Sequence, residues 1–419
     1  MAGVRTLLVD RSRFPRYKAC GGALTTRALR RFPYLAQALA RISTRWISKL
    51  RLEGPSGRSA ELRSESPAVI NVRRLEFDDL LVSLARHAGA DLLEETEIHD
   101  ATEHRDSVEL RTRDGRVFTA QMVIAADGVH GVVAKRLNLT REWRRDALAI
   151  DLMEETPDTR LRTLDPECLW VRYGFPASAV GGPDALRAGY AYVFPKQKHV
   201  NVGIGYVSAE YRQAFRGSAY ALQRGLIELL KRDGIVDGES SRPHFTPFLI
   251  PVGGPIPRTG SSRVLVAGDA GGFVNGFSAE GIYYAMVSGD LAATTIVETL
   301  EHDSSAHAGY RARWNAEIGS ELRESVAIQR LCFADARRID AMVDAAGNGS
   351  PLVDRVTEWA CGAIGYTALR RAVLMRNPAI GIVLGAILFQ KKLEATRRAI
   401  FQSDSVCPGN RVVRPRAEM

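Results

Sequence analysis

Residues 264–289, VLVAGDAGGFVNGFSAEGIYYAMVSG, constrain the fold more than any other part of this 419-residue chain. The apolar run Val264-Leu265-Val266-Ala267 reads as a buried strand. It runs into Gly268-Asp269 and a glycine-rich turn. After Ser278, the spacing of Ile282, Ala285, Met286, Gly289 and Ala293 predicts a helix with one packed face. A strand that delivers an acid and small residues to a helix start is a device for holding a polar, phosphorylated cofactor, because the first N–H groups of a helix are free to bind anions. Asp269 is placed to accept hydrogen bonds from sugar or ribityl hydroxyls, and Gly271 and Gly272 let backbone amides approach closely.

The rest of the chain organises around this segment. Residues 4–9 read as a strand ending at Asp10, and residues 27–40 as helix cut by Pro33. Residues 49–53 and 58–63 read as a hairpin around Gly54-Pro55-Ser56-Gly57. Residues 74–87 carry Leu75, Leu80, Leu81, Leu84 and Ala85 at helical spacing, and residues 92–123 hold several short strands with a turn at Asp114-Gly115. From about residue 145 to 260 the pattern is rich in strands and aromatic residues, which suits a substrate domain. The chain re-enters the nucleotide domain at Val264, and beyond about residue 300 it reads as mostly helical.

Composition excludes several classes. The apolar and charged fractions, 45% and 25%, are those of an ordinary globular protein. The net charge of +9 favours anionic substrates or an acidic membrane surface, or reflects a compositional bias toward arginine. Five scattered cysteines without a CxxC pair argue for a reducing compartment and against a disulfide framework or a zinc site. No N-terminal apolar region of the secretory kind is present, and no histidine pair has metal-ligand spacing. The apolar run 379–389, followed by Lys391-Lys392, is too short to span a bilayer. It reads as a buried helix, with partial insertion into a membrane interface as the alternative.

The order of residues 264–289 resembles the C-terminal flavin fingerprint of the FAD enzymes related to p-hydroxybenzoate hydroxylase, and its GFVN and AEGI parts resemble the geranylgeranyl reductase branch. Further motifs fall in the order of that branch. Residues 13–24, RFPRYKACGGAL, are similar to its P-R-x-K-x-C-G-G loop, which lies against the flavin: Gly21 and Gly22 let backbone pass a flat ring closely, and Lys18 and Arg16 supply positive charge. Cys20 invites a redox or proton-donor role, against the alternative of an inert buried thiol. Arg74, in RLEFD, matches an arginine that reaches the flavin or its phosphates; the alternative is an ion pair with Asp78 four residues on. Residues 123–138, VIAADGVHGVVAKRLN, resemble an A-D-G motif associated with FAD and pyridine nucleotide, in which Asp127 and Gly128 form the turn; a strand–DG–helix sequence also arises as a simple turn.

Residues 190–205, YAYVFPKQKHVNVGIG, match Y-x-W-x-F-P followed by G-x-G, with Tyr192 in place of tryptophan. In the family this segment lines a lipid tunnel beside the flavin. Strand alternation puts Tyr190, Tyr192 and Phe194 on one face, where they suit an extended isoprenoid or, alternatively, ordinary core packing. By the same resemblance, the helix opening at Glu280-Gly281-Ile282 would stabilise negative charge on the reduced ring through its free N–H groups and dipole, with Glu280 read as structural rather than catalytic in the first turn.

The resemblance implies an α/β fold: an FAD-binding Rossmann-like domain (residues 1–48, 65–145 and 262–305), a β-rich substrate domain (49–64 and 146–261) and a helical C-terminal portion (306–419). Asp10 corresponds to the acid that binds dinucleotide ribose about 20 residues after a GxGxxG turn begins. Only nine residues precede it, so the first βα unit is expected to be missing from this chain. The implied activity is FAD-dependent reduction of isoprenoid carbon–carbon double bonds, with NAD(P)H or ferredoxin as electron donor. The implied partners are an isoprenoid lipid or diphosphate, with peripheral membrane association open, no nucleic acid and a cytoplasmic location. The expected binding set is Asp10, Lys18, Cys20, Gly21, Gly22, Arg74, Asp127, Gly128, Gly268, Asp269, Gly281 and Ile282, and the expected reaction face is Cys20, Tyr190, Tyr192 and Phe194. Two alternatives stand beside this: a flavin monooxygenase or halogenase on the same scaffold, and a lipid-binding remnant that holds no FAD. Halogenases of the group carry two tryptophans before the proline, where this chain has Tyr190 and Tyr192.

Overall fold

Two parallel strand pairs frame the elements around residues 264–289 in a computed structural model that describes residues 3–175, 178, 188–209, 211, 217–302, 306–347 and 349–376. Leu7–Val9 pairs with Asp91–Leu93, and Val123–Ala125 with Val264–Val266. All three residues of Val264–Val266 are buried, as a continuous apolar run without alternation requires when both faces are covered. Helix Ile282–His302 packs Ile282, Tyr284, Val287 and Leu291 into a core shared with Leu24, Phe77, Leu265, Phe273, Tyr310 and Trp314. The helix predicted over residues 74–87 is observed as Arg74–His87. Pro33 does cut residues 27–40, into Arg27–Arg31 and Tyr34–Ala38, followed by a short 3-10 turn at Leu39–Arg41.

A seven-stranded sheet dominates the rest. Its order is Phe245–Pro251, Leu148–Pro157, His199–Val207, Gly189–Lys196, Cys168–Tyr173, Lys49–Glu53 and Ser59–Arg63. Every neighbour pair is antiparallel except Cys168–Tyr173 with Lys49–Glu53. The hairpin read around residues 54–57 therefore docks onto a sheet built from residues a hundred positions away. Strand alternation gives this sheet two distinct faces. Leu152, Ala191, Val193, Val202 and Ile204 form one, covered by Leu222, Leu226 and Ile227 of helix Ala219–Arg232. That helix interrupts the segment expected to be strand-rich; Ser218 caps it, accepting from the Ala221 amide.

The second face carries Asp151, Tyr190, Tyr192, Gly203 and Gly205, and it looks into the cavity described below. Beyond residue 300 the described residues are mostly helical, including Ala306–Trp314, Ser320–Phe333, Ala336–Ala345 and Val353–Ala360. The chain divides at Thr367: Met1–Thr367 contains all the elements above, and helix Tyr366–Arg376 runs into the second unit, Ala368–Met419. The apolar run 379–389 lies outside the described residues. Among the described residues no helix is long and apolar enough to cross a membrane.

Candidate active site

One cavity of about 1520 Å³ joins nearly all the residues singled out above. That volume exceeds the roughly 300–1,000 Å³ of an ordinary small-ligand pocket. Asp10, Lys18, Cys20, Gly21, Gly22, Arg74, Asp127, Gly128, Asp269, Gly281, Ile282, Tyr190, Tyr192 and Phe194 all line it. Gly268 does not; it takes a left-handed conformation (φ +59°), and its N–H donates to the Ser288 hydroxyl.

The loop through Cys20, Gly21 and Gly22 is fixed from below. Gly22 has φ +74°, a conformation L side chains rarely adopt, and a Cβ there would overlap the Val72 carbonyl oxygen. A Cβ on Gly21 would stand 2.8 Å from the Phe194 ring. The amide of Asn201 donates to the Cys20 carbonyl at 3.3 Å. Beneath the loop the ammonium of Lys196 pairs with Glu155, which also accepts from Arg73 at 3.2 Å. Burial pushes the Glu155 carboxyl up, but Lys196 and Arg73 outweigh it and hold it below the usual range.

Several predicted residues have partners within the protein. Arg74 forms the pair with Asp78, at 2.7 and 2.9 Å, and its guanidinium also reaches the Cys20 thiol. Arg16 joins Asp78 at 2.9 Å and Asp10 at 3.5 Å. The Asp127 carboxylate accepts from the amides of Val132 and Val133 at 2.7 and 3.0 Å, which caps the turn into helix Val133–Arg136. Asp269 keeps a loose contact with Lys18 at 3.8 Å, leaving both side chains partly open to the cavity. Glu280 is tied down: it pairs with Arg27 and accepts from Thr25 at 2.7 Å, so it secures the chain just before helix Ile282–His302. The Asn275 side-chain oxygen accepts from the Phe277 and Ser278 amides and from the Tyr366 hydroxyl, at 3.0 Å each, which shapes the turn before that helix.

The aromatic row is continuous. Tyr190 and Tyr192 ring centroids lie 6.0 Å apart, and those of Tyr192 and Phe194 4.6 Å. The Tyr190 hydroxyl donates to the Ser278 carbonyl at 2.8 Å. The Tyr192 hydroxyl donates to Asp151 Oδ2 at 3.0 Å, whereas Asp151 Oδ1 is buried without a hydrogen-bond partner. Asp151 was not among the residues the sequence picked out, and it lines the cavity. The available signal was a lone acid inside the apolar strand ALAIDLM, where aspartate is disfavoured unless something holds it. Burial pushes its carboxyl up to about 7, with the Tyr192 hydroxyl opposing that rise. Burial also raises the Tyr192 phenol well above its ordinary range, so it stays a donor.

This has a consequence for stability. The folded value near 7 stands above the unfolded value of about 3.9. The stability that protonated Asp151 contributes is therefore fully present below about pH 4 and is lost as the pH rises through 7. Between about pH 5 and pH 7 the wild type is expected to lose about 2 kcal/mol relative to Asp151→Asn. Parallel urea titrations of the two proteins across that interval measure it; superimposable pH profiles would rule out the raised carboxyl.

The FAD binding domain family matches residues 1–247. The chain belongs to that family. Digeranylgeranylglycerophospholipid reductase 2 of Methanothermobacter thermautotrophicus is 29% identical over 295 residues, covering 68% of this chain and 70% of the relative. Menaquinone reductase of Mycobacterium tuberculosis is 29% identical over 310 residues, covering 70% of each. The solved structure of a geranylgeranyl bacteriochlorophyll reductase-like protein from Thermoplasma acidophilum superposes with a TM-score of 0.74 at 20% identity, over 92% of this chain and 94% of that one. The chain is an FAD-dependent oxidoreductase with the α/β fold of these proteins, related at modest identity to geranylgeranyl reductases.

Proposed function

We propose that this oxidoreductase reduces a carbon–carbon double bond in the isoprenoid group of a lipid or diphosphate. The observation that carries the reading is the continuity of the cavity. A polar stretch with Lys18, Asp269 and the start of helix Ile282–His302 passes into the row Tyr190, Tyr192 and Phe194. From that row the sheet register carries the lining on to Leu52, Leu50 and Leu62, and Val356 and Trp359 add further apolar surface to the same cavity. A ligand that is charged at one end and long and greasy at the other suits such a space.

The residues present fit FAD. Gly21 and Gly22 leave a flat strip of backbone where any side chain would collide, and Gly281 leaves the approach to Asp269 open. Lys18, Asp269, Gly21, Gly22, Gly281 and Ile282 would hold the cofactor, with Asp10, Asp127 and Gly128 lining the cavity farther along. When bound, FAD would supply hydride chemistry toward the alkene, with NAD(P)H or ferredoxin as the source of electrons. The chain's own part is to lay the prenyl chain along the aromatic row, exclude water from the reacting carbons and hold Cys20 against Arg74 beside them.

The test is anaerobic. Purified protein supplemented with FAD, dithionite and a geranylgeranyl-bearing glycerolipid should give a product enriched by two hydrogens per reduced double bond, read by mass spectrometry. Product that forms only with oxygen and NADPH would instead make it a monooxygenase or halogenase. Protein that takes up no FAD, judged by the flavin absorbance band after gel filtration, would leave a lipid-binding remnant.

A further inference from the structure

We infer that Asp151, held by Tyr192, is the group that delivers the proton completing reduction of the double bond. The inference rests on the reductase reading above and assigns the proton source that reading needs. Reduction breaks one π bond and forms two C–H bonds. The hydride of the reduced flavin makes one, and an acid in contact with the alkene must make the other. On a trisubstituted isoprenoid alkene the proton goes to the less substituted carbon, so positive charge develops on the tertiary carbon where the hydride arrives.

The sheet brings the parts together in a way its register makes explicit. Asp151 is directly opposite Gly205, which is opposite Tyr190; Met153 is opposite Gly203, which is opposite Tyr192. These two rows share one face. Both central positions are glycine, so the middle strand is bare and the Tyr192 ring leans across it to reach Asp151 two strands away. A Cβ on Gly203 would run into the Tyr192 ring and hydroxyl, and one on Gly205 would stand 3.9 Å from Asp151 Oδ1. The G-x-G of the motif is thus the opening through which tyrosine and aspartate meet.

The two carboxyl oxygens then have different work. Oδ2 accepts from Tyr192; Oδ1 is buried without a hydrogen-bond partner in a residue of the cavity wall, so it is the oxygen left to carry the proton. The titratable groups facing Asp151 are Tyr192 and Tyr190, with Cys20 beyond them. The strand on its other side contributes Phe248 opposite it. No cation is paired with Asp151 among the described residues, and burial keeps its carboxyl protonated near neutrality. After transfer the carboxylate keeps the Tyr192 hydrogen bond, and water entering the cavity returns the proton. The rings of Tyr190 and Tyr192 meanwhile offer their π faces to the developing positive charge.

The experiment uses the full chain with FAD. Asp151→Asn should lower kcat for prenyl reduction by about a hundredfold or more, the usual contribution of a positioned acid, with flavin content and KM within about threefold of the wild type. Tyr192→Phe should retain more activity and shift the pH profile. Independently of turnover, infrared spectra of protein carrying carboxyl-labelled aspartate should show a protonated carboxyl at about pH 6 that disappears in Asp151→Asn. If the wild type turns over and Asp151→Asn matches it, or if no aspartate is protonated at that pH, the assignment is overturned. If the wild type reduces no prenyl lipid, the reductase reading falls instead, and the two failures are told apart by the wild-type control.

Discussion

Gly203→Ala is expected to cut turnover by about tenfold or more, at least as much as Tyr192→Phe and less than Asp151→Asn, while leaving bound FAD in place, because the proton donor remains but loses its hold. The added methyl overlaps the Tyr192 ring, which therefore leaves its position over the middle strand and with it the 3.0 Å hydrogen bond to Asp151. Asp151 then faces the cavity with both oxygens unsupported. Overpacking of this kind costs about 1–3 kcal/mol in stability, too little to unfold a domain of this size. Steady-state kinetics, flavin absorbance and a melting curve on one preparation separate the outcomes. Turnover within about threefold of wild type, with the mutation tolerated, would show that the contact has no part in the reaction; where turnover does fall, Tyr192→Phe in the same background should add little, because both changes remove one bond.

Lys196→Met is expected to destabilise the fold by about 3–5 kcal/mol, the cost of stripping one partner from a buried ion pair. The Lys196 and Glu155 side chains are 1% and 5% exposed, so solvent cannot take over the lost charge. Glu155 would keep only Arg73, at 3.2 Å and itself shared with Glu76 at 3.4 Å. Urea denaturation at neutral pH measures the loss. The double change Lys196→Met with Glu155→Leu should recover most of it, because an apolar pair of similar volume removes the stranded carboxylate. A small effect of Lys196→Met alone would mean that Arg73 suffices. Because the Lys196 ammonium lies under Gly22, the single variant should also loosen the Cys20–Gly21–Gly22 loop and weaken FAD retention.

Much of the fold was legible because its signals are local. Arg74–His87 announces itself by helical spacing, the hairpin about residues 54–57 by its turn residues, and Val264–Val266 by an unbroken apolar run. Helix Ala219–Arg232 was missed inside a segment whose aromatic, strand-forming neighbours set the average. The motif residues, which line one cavity, include glycines and acids at turns, punctuation that a linear reading detects. Arg74 shows the limit of that reading: it forms the pair with Asp78 that the spacing offered, and it also reaches Cys20, which no spacing announces.

The sequence by itself determined helix Arg74–His87, strand Val264–Val266, the glycine turns and the aromatic alternation of Tyr190, Tyr192 and Phe194, because each depends on neighbours within a few residues. Only the tertiary structure decided what those parts meet. Asp151 and Tyr192 are 41 residues apart in the chain and share no periodicity. They touch because Gly203, on the strand between them, has no side chain to keep them apart. Likewise Arg27 and Glu280, far apart in sequence, close the start of helix Ile282–His302 through a contact that no spacing announces. Hydrogen bonds across a sheet and between layers are set by strand register and packing, and those are properties of the whole fold rather than of any segment.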